Sequence, residues 1–301
     1  MFSIYKDTLA IDYLKFKNYA FAVSLALLVL GVGSLIIKGD KAFGVDFTGG
    51  SLHQLRFEHA VDIDKLRDGL KTLNLGNIPI QQFGDAYEVI MKAPLTEGID
   101  SSELGTLINN SIREIYSENP FEVLRTETVG PAIGRELRMK AATAALFAVL
   151  AIAAYVAFRV EMVFAFGALL ALFHDGIITL GLCSLFGYEI SLTVIAAVLT
   201  ILGYSINDTI VIFDRIREER KLHKGQNLYQ IINSSVNHTM NRTIITSLTT
   251  LLVALMLFLF GGEVIHDFSF AMLVGVIVGT YSSVYIASGV LILFQNRLAK
   301  G

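Results

Sequence analysis

The chain has 301 residues, of which 53% are hydrophobic and 17% charged, and its formal net charge is -3. A soluble domain runs nearer about a quarter charged, so this balance excludes an ordinary soluble protein. The small net charge, with no basic stripe, excludes nucleic acid as a partner, and the single cysteine, Cys183, excludes an intrachain disulfide.

Spanning a bilayer takes about 20 mostly apolar residues. Six stretches qualify: residues 19–37, about 139–158, 163–186, 190–213, 244–261 and 268–294. The first follows an N-terminal tail, residues 1–18. Its apolar core is longer than the roughly 7–15 residues of a signal-peptide core, and no Ala-x-Ala site follows, so it reads as an uncleaved anchor.

Residues 38–136 are polar enough for a soluble domain. Strands are expected at 51–57, 79–83, 87–92 and 121–129, and helices at 62–73 and 100–116. Asp62, Ser101 and Ser102 stand where helix caps belong. Gly84-Asp85 joins the two middle strands as a hairpin. The order strand–helix–strand–strand–helix–strand predicts a split βαβ, ferredoxin-like α+β sandwich.

The remaining five spans form a block over residues 137–296, followed by a short tail, 297–301. Within it, residues 214–242 read as a polar loop that is amphipathic at Leu222, Leu228, Ile231, Ile232 and Val236. The fold class is thus a polytopic α-helical membrane protein of one-plus-five layout, with an α+β domain between its first and second helices. Lys and Arg in short loops set orientation. They gather in the N-terminal tail, at Arg159, in the 214–242 loop and in the C-terminal tail. The opposite loops carry Glu189, Glu263 and Asp267. Both termini are therefore expected to be cytoplasmic, with the α+β domain extracytoplasmic.

Ionisable residues in a span cost at least about 2.5–3.5 kcal/mol at the bilayer centre, so they mark candidate functional sites. Asp208 lies in the fourth span, beside Asn207, with apolar residues beyond it through Phe213. Burial disfavours a carboxylate's charged form and a nearby arginine favours it, and a group balanced between the two can exchange protons. Arg242, at the expected start of the fifth span, is either a snorkelling interfacial arginine or the partner of Asp208. His174-Asp175 falls mid-way along the third span. Adjacent side chains point about 100° apart, so one of the two is expected to reach the interior, as a proton relay or as polar glue between helices. These neighbours lack a third ligand, so neither a metal nor another cofactor is expected. Small residues mark packing: Gly275, Gly279, Ser283 and Ala287 in the sixth span, and Ala196, Thr200, Gly203 and Asn207 on one face of the fourth, expected to carry Asp208 inward.

The ordered motifs resemble one family. Gly44-Val45-Asp46-Phe47-Thr48-Gly49-Gly50 is similar to the signature that opens the outer domain of SecF, and Val129-Gly130-Pro131 with Gly134 to its exit motif. His174-Asp175, Leu202-Gly203-Tyr204-Ser205-Ile206-Asn207-Asp208 and Asp214-Arg215-Ile216-Arg217-Glu218 resemble its third and fourth helices. Arg242-Thr243 with Thr246-Ser247, and Leu259-Phe260-Gly261-Gly262, resemble its fifth. SecD, similar in plan, has a much larger outer domain. The resemblance covers essentially the whole chain.

It implies half of an RND-type transporter in the bacterial inner membrane. Such a chain pairs with SecD and associates with the SecYEG channel and YajC, and the proton-motive force draws preproteins outward. It implies that Asp208 and Arg242 lie on the proton pathway; Asn207, His174 and Asp175 are further relay candidates from their places in the spans. Gly44, Asp46, Gly49, Gly50, Gly130 and Pro131, which flank the outer domain, act there as hinges or as turns. Rival readings are a small-molecule RND-type permease, an intramembrane protease and a passive scaffold of the Sec channel. A permease would want a second intramembrane acid in an internal repeat. A protease would want a nucleophile–base pair, and Ser205 lacks the Gly-x-Ser-x-Gly setting. The sequence holds nothing against the scaffold.

Overall fold

A computed structural model describes residues 11–73, 78, 80–93, 101–262 and 265–294. It divides into two units, residues 43–142 and the remainder.

In the smaller unit, a single helical turn α2 (Val45–Thr48) leads into strand β1 (Gly50–Phe57). Helix α3 (Ile63–Leu70) follows, then β2 (Ile80–Gln82), β3 (Glu88–Ala93), α4 (Ser101–Ile115) and β4 (Phe121–Val129). The Asp62 side chain caps α3 by accepting from the Asp64 and Lys65 amides, and Gly84 turns the β2–β3 hairpin at φ 67. The caps expected of Ser101 and Ser102 rest on side chains outside those described. The sheet order is β2-β3-β1-β4, every neighbouring pair antiparallel. That is the ferredoxin-like arrangement expected from the element order. Leu55, Phe57, Val89 and Met91 of the sheet pack on Leu66, Leu70, Leu104, Ile108 and Ile112 of the two helices.

Six helices among the described residues are long and apolar enough to cross a membrane. They are α1 (Lys17–Lys38), α5 (Pro131–Arg159), α6 (Met162–Phe186), α7 (Leu192–Leu222), α8 (Leu228–Phe260) and α9 (His266–Ser282) with its continuation. That continuation passes through a π-turn at Ser283–Ala287 into α10 (Ser288–Leu293). The most buried spans of the helical unit are α6, α7 and α9 with its continuation, and α8 adds Ile231, Ile232, Val236 and Met240 to their core.

The two helices that flank the smaller unit in sequence differ sharply. Helix α1 packs on α6 with backbone touching backbone at Gly31 and Gly181. Helix α5 stays exposed, and Val156 is its one buried residue between 143 and 159.

The polar loop expected over 214–242 does not exist as a loop. Helix α7 continues to Leu222 and α8 starts at Leu228, so Arg242 lies inside α8, not at its start. The polarity that suggested a loop is satisfied along α7 and between helices. Arg159 pairs with Asp214 at 2.6 Å, and Arg215 reaches Glu219 at 2.6 Å. Glu219 also meets His223 at 2.9 Å and His238 at 3.1 Å. The apolar residues Ile216, Ile231, Ile232 and Val236 are buried in the core. One turn apart on α8, Asn233 and Asn237 hold the Tyr13 and Ile11 amides at 2.9 and 3.0 Å.

Candidate functional site

Asp208 is buried, 2% exposed, where α7 meets α8. Its charged neighbour is Arg242, which sits exposed on α8, and Ser247 stands beside it. The Oδ2 atom of Asp208 is buried and takes no hydrogen bond from the described residues. Two further polar atoms share that state: the Tyr204 hydroxyl, one turn earlier on α7, and Thr243 Oγ1, one turn before Ser247 on α8. Buried polar groups are nearly always bonded, and these three lie on neighbouring turns of α7 and α8.

The face expected to carry the acid inward does not do so in this chain. Ala196, Thr200, Gly203 and Asn207 are all exposed, and a Cβ on Gly203 would meet nothing within 4 Å. Asp208 is turned about 100° from Asn207 around the helix and faces the block instead. Asn207 is therefore separate from the buried site within this chain.

His174 and Asp175 are both buried, at 7% and 0%, and, as expected of adjacent residues on a helix, they face different partners. Although they point apart, His174 Nδ1 turns back to Asp175 Oδ1 at 2.9 Å. His174 Nε2 meets Ser24 Oγ of α1 at 2.9 Å. Asp175 Oδ2 accepts from Ser205 of α7 at 2.6 Å and from Ser282 of α9 at 2.8 Å. The pair thus ties α6 to three other helices. Ser205, which bonds Asp175 of α6, lies one turn before Asp208 on α7. Ser24, Ser282 and Tyr281 were missed from the sequence, where Ser24 stands alone in an apolar run and Tyr281 and Ser282 fall within the small-residue stripe that reads as packing.

The small-residue stripe of α9 packs closely. A Cβ on Gly275 would come within 2.2 Å of Ile201, and one on Gly279 within 2.9 Å of Ser205 and 3.6 Å of Asp175 Oδ2. Ser283 is bonded to Thr209 at 2.8 Å.

In the smaller unit, Gly44 caps α2, whose first turn holds Asp46. Gly49 and Gly50 turn the chain at φ 74 and φ 136, conformations open to glycine. A Cβ on Gly49 would lie 3.3 Å from Pro131, and one on Gly134 would lie 3.1 Å from the Gly49 nitrogen. The entry and exit motifs are therefore packed into one joint. Gly130 precedes Pro131, the first residue of α5, with no positive φ.

A family model described as protein export membrane protein SecD/SecF, C-terminal, matches residues 108–297. A protein translocase subunit SecF from Calditerrivibrio nitroreducens is 45% identical, over 97% of this chain and 96% of that one. One from Desulfurispirillum indicum is also 45% identical, over 95% and 92%. The crystal structure of SecDF, a translocon-associated membrane protein from Thermus thermophilus, aligns with a TM-score of 0.86 at 40% identity, covering 98% of this chain. This chain spans 40% of the length of that SecDF chain. With the one-plus-five helices, the ferredoxin-like unit and near full-length identity to these subunits, the chain belongs to the SecF family of protein translocase subunits.

Proposed function

We propose that the chain is the SecF partner of a SecD subunit, and that the pair uses the proton-motive force to draw preproteins outward from the SecYEG channel, with YajC associated. It works as a transport subunit and not as an enzyme. It lies in the bacterial inner membrane with both termini cytoplasmic and the ferredoxin-like unit outside. The observation that carries this reading is Asp208, a buried carboxylate with one oxygen unbonded among the described residues and the Arg242 guanidinium as a charged neighbour.

Such a carboxylate can take up a proton, whereas Arg242 cannot release one at useful pH. The role of Arg242 is to favour the charged form of Asp208 and to give way when the proton arrives. Moving one charge through 100 mV is worth about 2.3 kcal/mol, several times the thermal energy and enough to bias a conformational step. The distribution of charge supports the orientation: Arg159, Arg215, Arg217 and Arg220 cluster at one end of the block. Glu189 and Asp267 meet at the 187–191 turn, where the Glu189 amide donates to Asp267 at 3.3 Å.

The test uses membrane vesicles that already hold a trapped preprotein. In Asp208→Asn, completion of export is expected to lose its acceleration by the proton-motive force. Full retention of that dependence overturns the reading. Unchanged export in Arg242→Met would remove Arg242 from it.

A further inference from the structure

A chain of buried hydrogen bonds runs from Asp175 through His174, Ser24 and Tyr281 to the Ala20 carbonyl of α1. Each bond needs one hydrogen, and the last bond fixes the direction of the others. A carbonyl oxygen can only accept, so Tyr281 gives its single hydrogen to Ala20. The 3.0 Å bond between Ser24 and Tyr281 must then take its hydrogen from Ser24. Ser24 has no second hydrogen. At its 2.9 Å contact with His174, the ring Nε2 is therefore the donor. The 2.9 Å contact between His174 Nδ1 and Asp175 Oδ1 needs one more proton, held by the ring or by the carboxyl. Hydrogen-bond networks are the proper basis for such an assignment. Together the two residues hold two protons, one more than a neutral imidazole beside an ionised carboxylate.

Burial leads independently to the same count. Asp175 is fully buried and its other bonds come from the hydroxyls of Ser205 and Ser282, not from Lys or Arg. A lone buried charge is costly, and the pair with two protons has no net charge. The groups facing it are Ser24 from α1, Ser205 from α7, with Asp208 one turn beyond, and Ser282 and Tyr281 from α9. The Tyr281 ring lies 6.3 Å from that of His174, with Tyr285 5.4 Å beyond it.

We infer that His174 and Asp175 bind one exchangeable proton and that this proton latches α1 to the helical block. Loaded, every bond from Asp175 to Ala20 is made. On release, the Nε2–H bond breaks and the proton leaves to water. Ser24 must then turn its hydrogen to the ring, and one bond among Ser24, Tyr281 and Ala20 is lost. The latch rests on the proton-coupled reading only for its part in export, because the proton itself is inferred from the hydrogen-bond chain alone.

The experiment places the full chain, with its SecD partner and 15N-labelled histidine, in lipid vesicles and reads the ring nitrogens by solid-state NMR. At neutral pH, Nε2 of His174 is expected to carry a hydrogen, and Nδ1 either to carry a second one or to show the shift of a nitrogen that accepts one from Asp175; a bare, unbonded Nδ1 overturns the inference as well. The Nε2 resonance is expected to shift in Ser24→Ala and to vanish in His174→Gln. An Nε2 without hydrogen at neutral pH overturns the inference, whatever export does. Amide exchange in α1 around Ala20 and Ser24 is expected to rise several-fold in Ser24→Ala, and in the unaltered chain as pH rises far enough to strip Nε2. Exchange in α1 that stays constant while Nε2 loses its hydrogen overturns the latch. Should Asp208→Asn keep full dependence on the proton-motive force while Nε2 stays protonated, the Asp208 reading falls and the inferred proton stands.

Discussion

Gly31 of α1 and Gly181 of α6 meet backbone to backbone: a Cβ on Gly181 would lie 2.5 Å from the Gly31 Cα, and one on Gly31 would lie 2.9 Å from the Gly181 Cα. No side chain stands between the helices there, so nothing can rotate away. Close approach of this kind is how helices associate where surrounding lipid removes the hydrophobic drive. It places Ser34 Oγ at 2.9 Å from Ser184 Oγ and lets Lys38 reach the Ser184 carbonyl.

Substituting either glycine should therefore loosen α1. Gly181→Ala forces backbone apart, at a cost of about 1–3 kcal/mol, typical of overpacking. Gly33→Ala is the control, because a Cβ there meets nothing within 4 Å. Thermal unfolding of the purified chain in detergent should show a lower midpoint for Gly31→Ala and Gly181→Ala, and no change beyond about 0.5 kcal/mol for Gly33→Ala. Equal midpoints for all three would remove the backbone contact as a source of stability.

The joint of the smaller unit makes a graded prediction. Gly49 sits at φ 74 and ψ 159, a region essentially restricted to glycine, which another residue enters at about 1–3 kcal/mol. Gly50 sits at φ 136, and its Cβ would also fall 2.9 Å from the Ala93 carbonyl oxygen. Gly50→Ala should thus destabilise the unit clearly more than Gly49→Ala. Proteolysis of the full chain in rising urea, read on fragments of residues 43–142, measures the order. A reversed order would mean that the strain lies elsewhere.

Much of this architecture is legible in the sequence, for physical reasons that also explain the failures. Apolar runs of sufficient length have no stable alternative to spanning, so all six helices are visible. The ferredoxin-like order follows from alternation and turn residues such as Gly84. The extension of α7 and α8 through 214–242 is hidden because its charges are satisfied by partners distant in sequence, as Arg159 is by Asp214. The polar network is hidden for a related reason. Ser24 and Tyr281 are 257 residues apart, and neither resembles part of a site until helix packing brings them together. Asn207 fails in the opposite sense, since adjacency to Asp208 in sequence means divergence on a helix.

His53 predicts a pH dependence in the smaller unit. It is fully buried on β1, with Nε2 at 2.8 Å from Ser51 Oγ and Nδ1 unbonded. Burial holds its pKa down at about 4, against 6.5 when exposed. The unfolded chain thus takes up a proton as pH falls below about 6.5, while the folded unit resists until about 4. Stability from this group is present at neutral pH and is lost as pH falls through that window, by up to about 3 kcal/mol. The urea midpoint for proteolysis of residues 43–142 should fall from pH 7 to pH 4.5. His53→Gln should flatten that slope, and a slope unchanged by the substitution would assign it to other groups.

Gly279 separates packing from proton chemistry. A Cβ there would press on Ser205 at 2.9 Å and approach Asp175 Oδ2 at 3.6 Å. Gly279→Ala should therefore lower the thermal midpoint and also disturb the bond from Ser205 to Asp175. Removing the Ser205 side chain relieves the crowding but deletes that bond. The double variant Gly279→Ala with Ser205→Gly should regain most of the lost stability, because the two positions are in contact and their effects are not additive. Its export should still respond weakly to the proton-motive force, since Asp175 lacks a donor that neither substitution supplies. Recovery of stability and of that response together would show that Ser205 serves as a spacer, and would move the link between the two buried acids away from its hydroxyl.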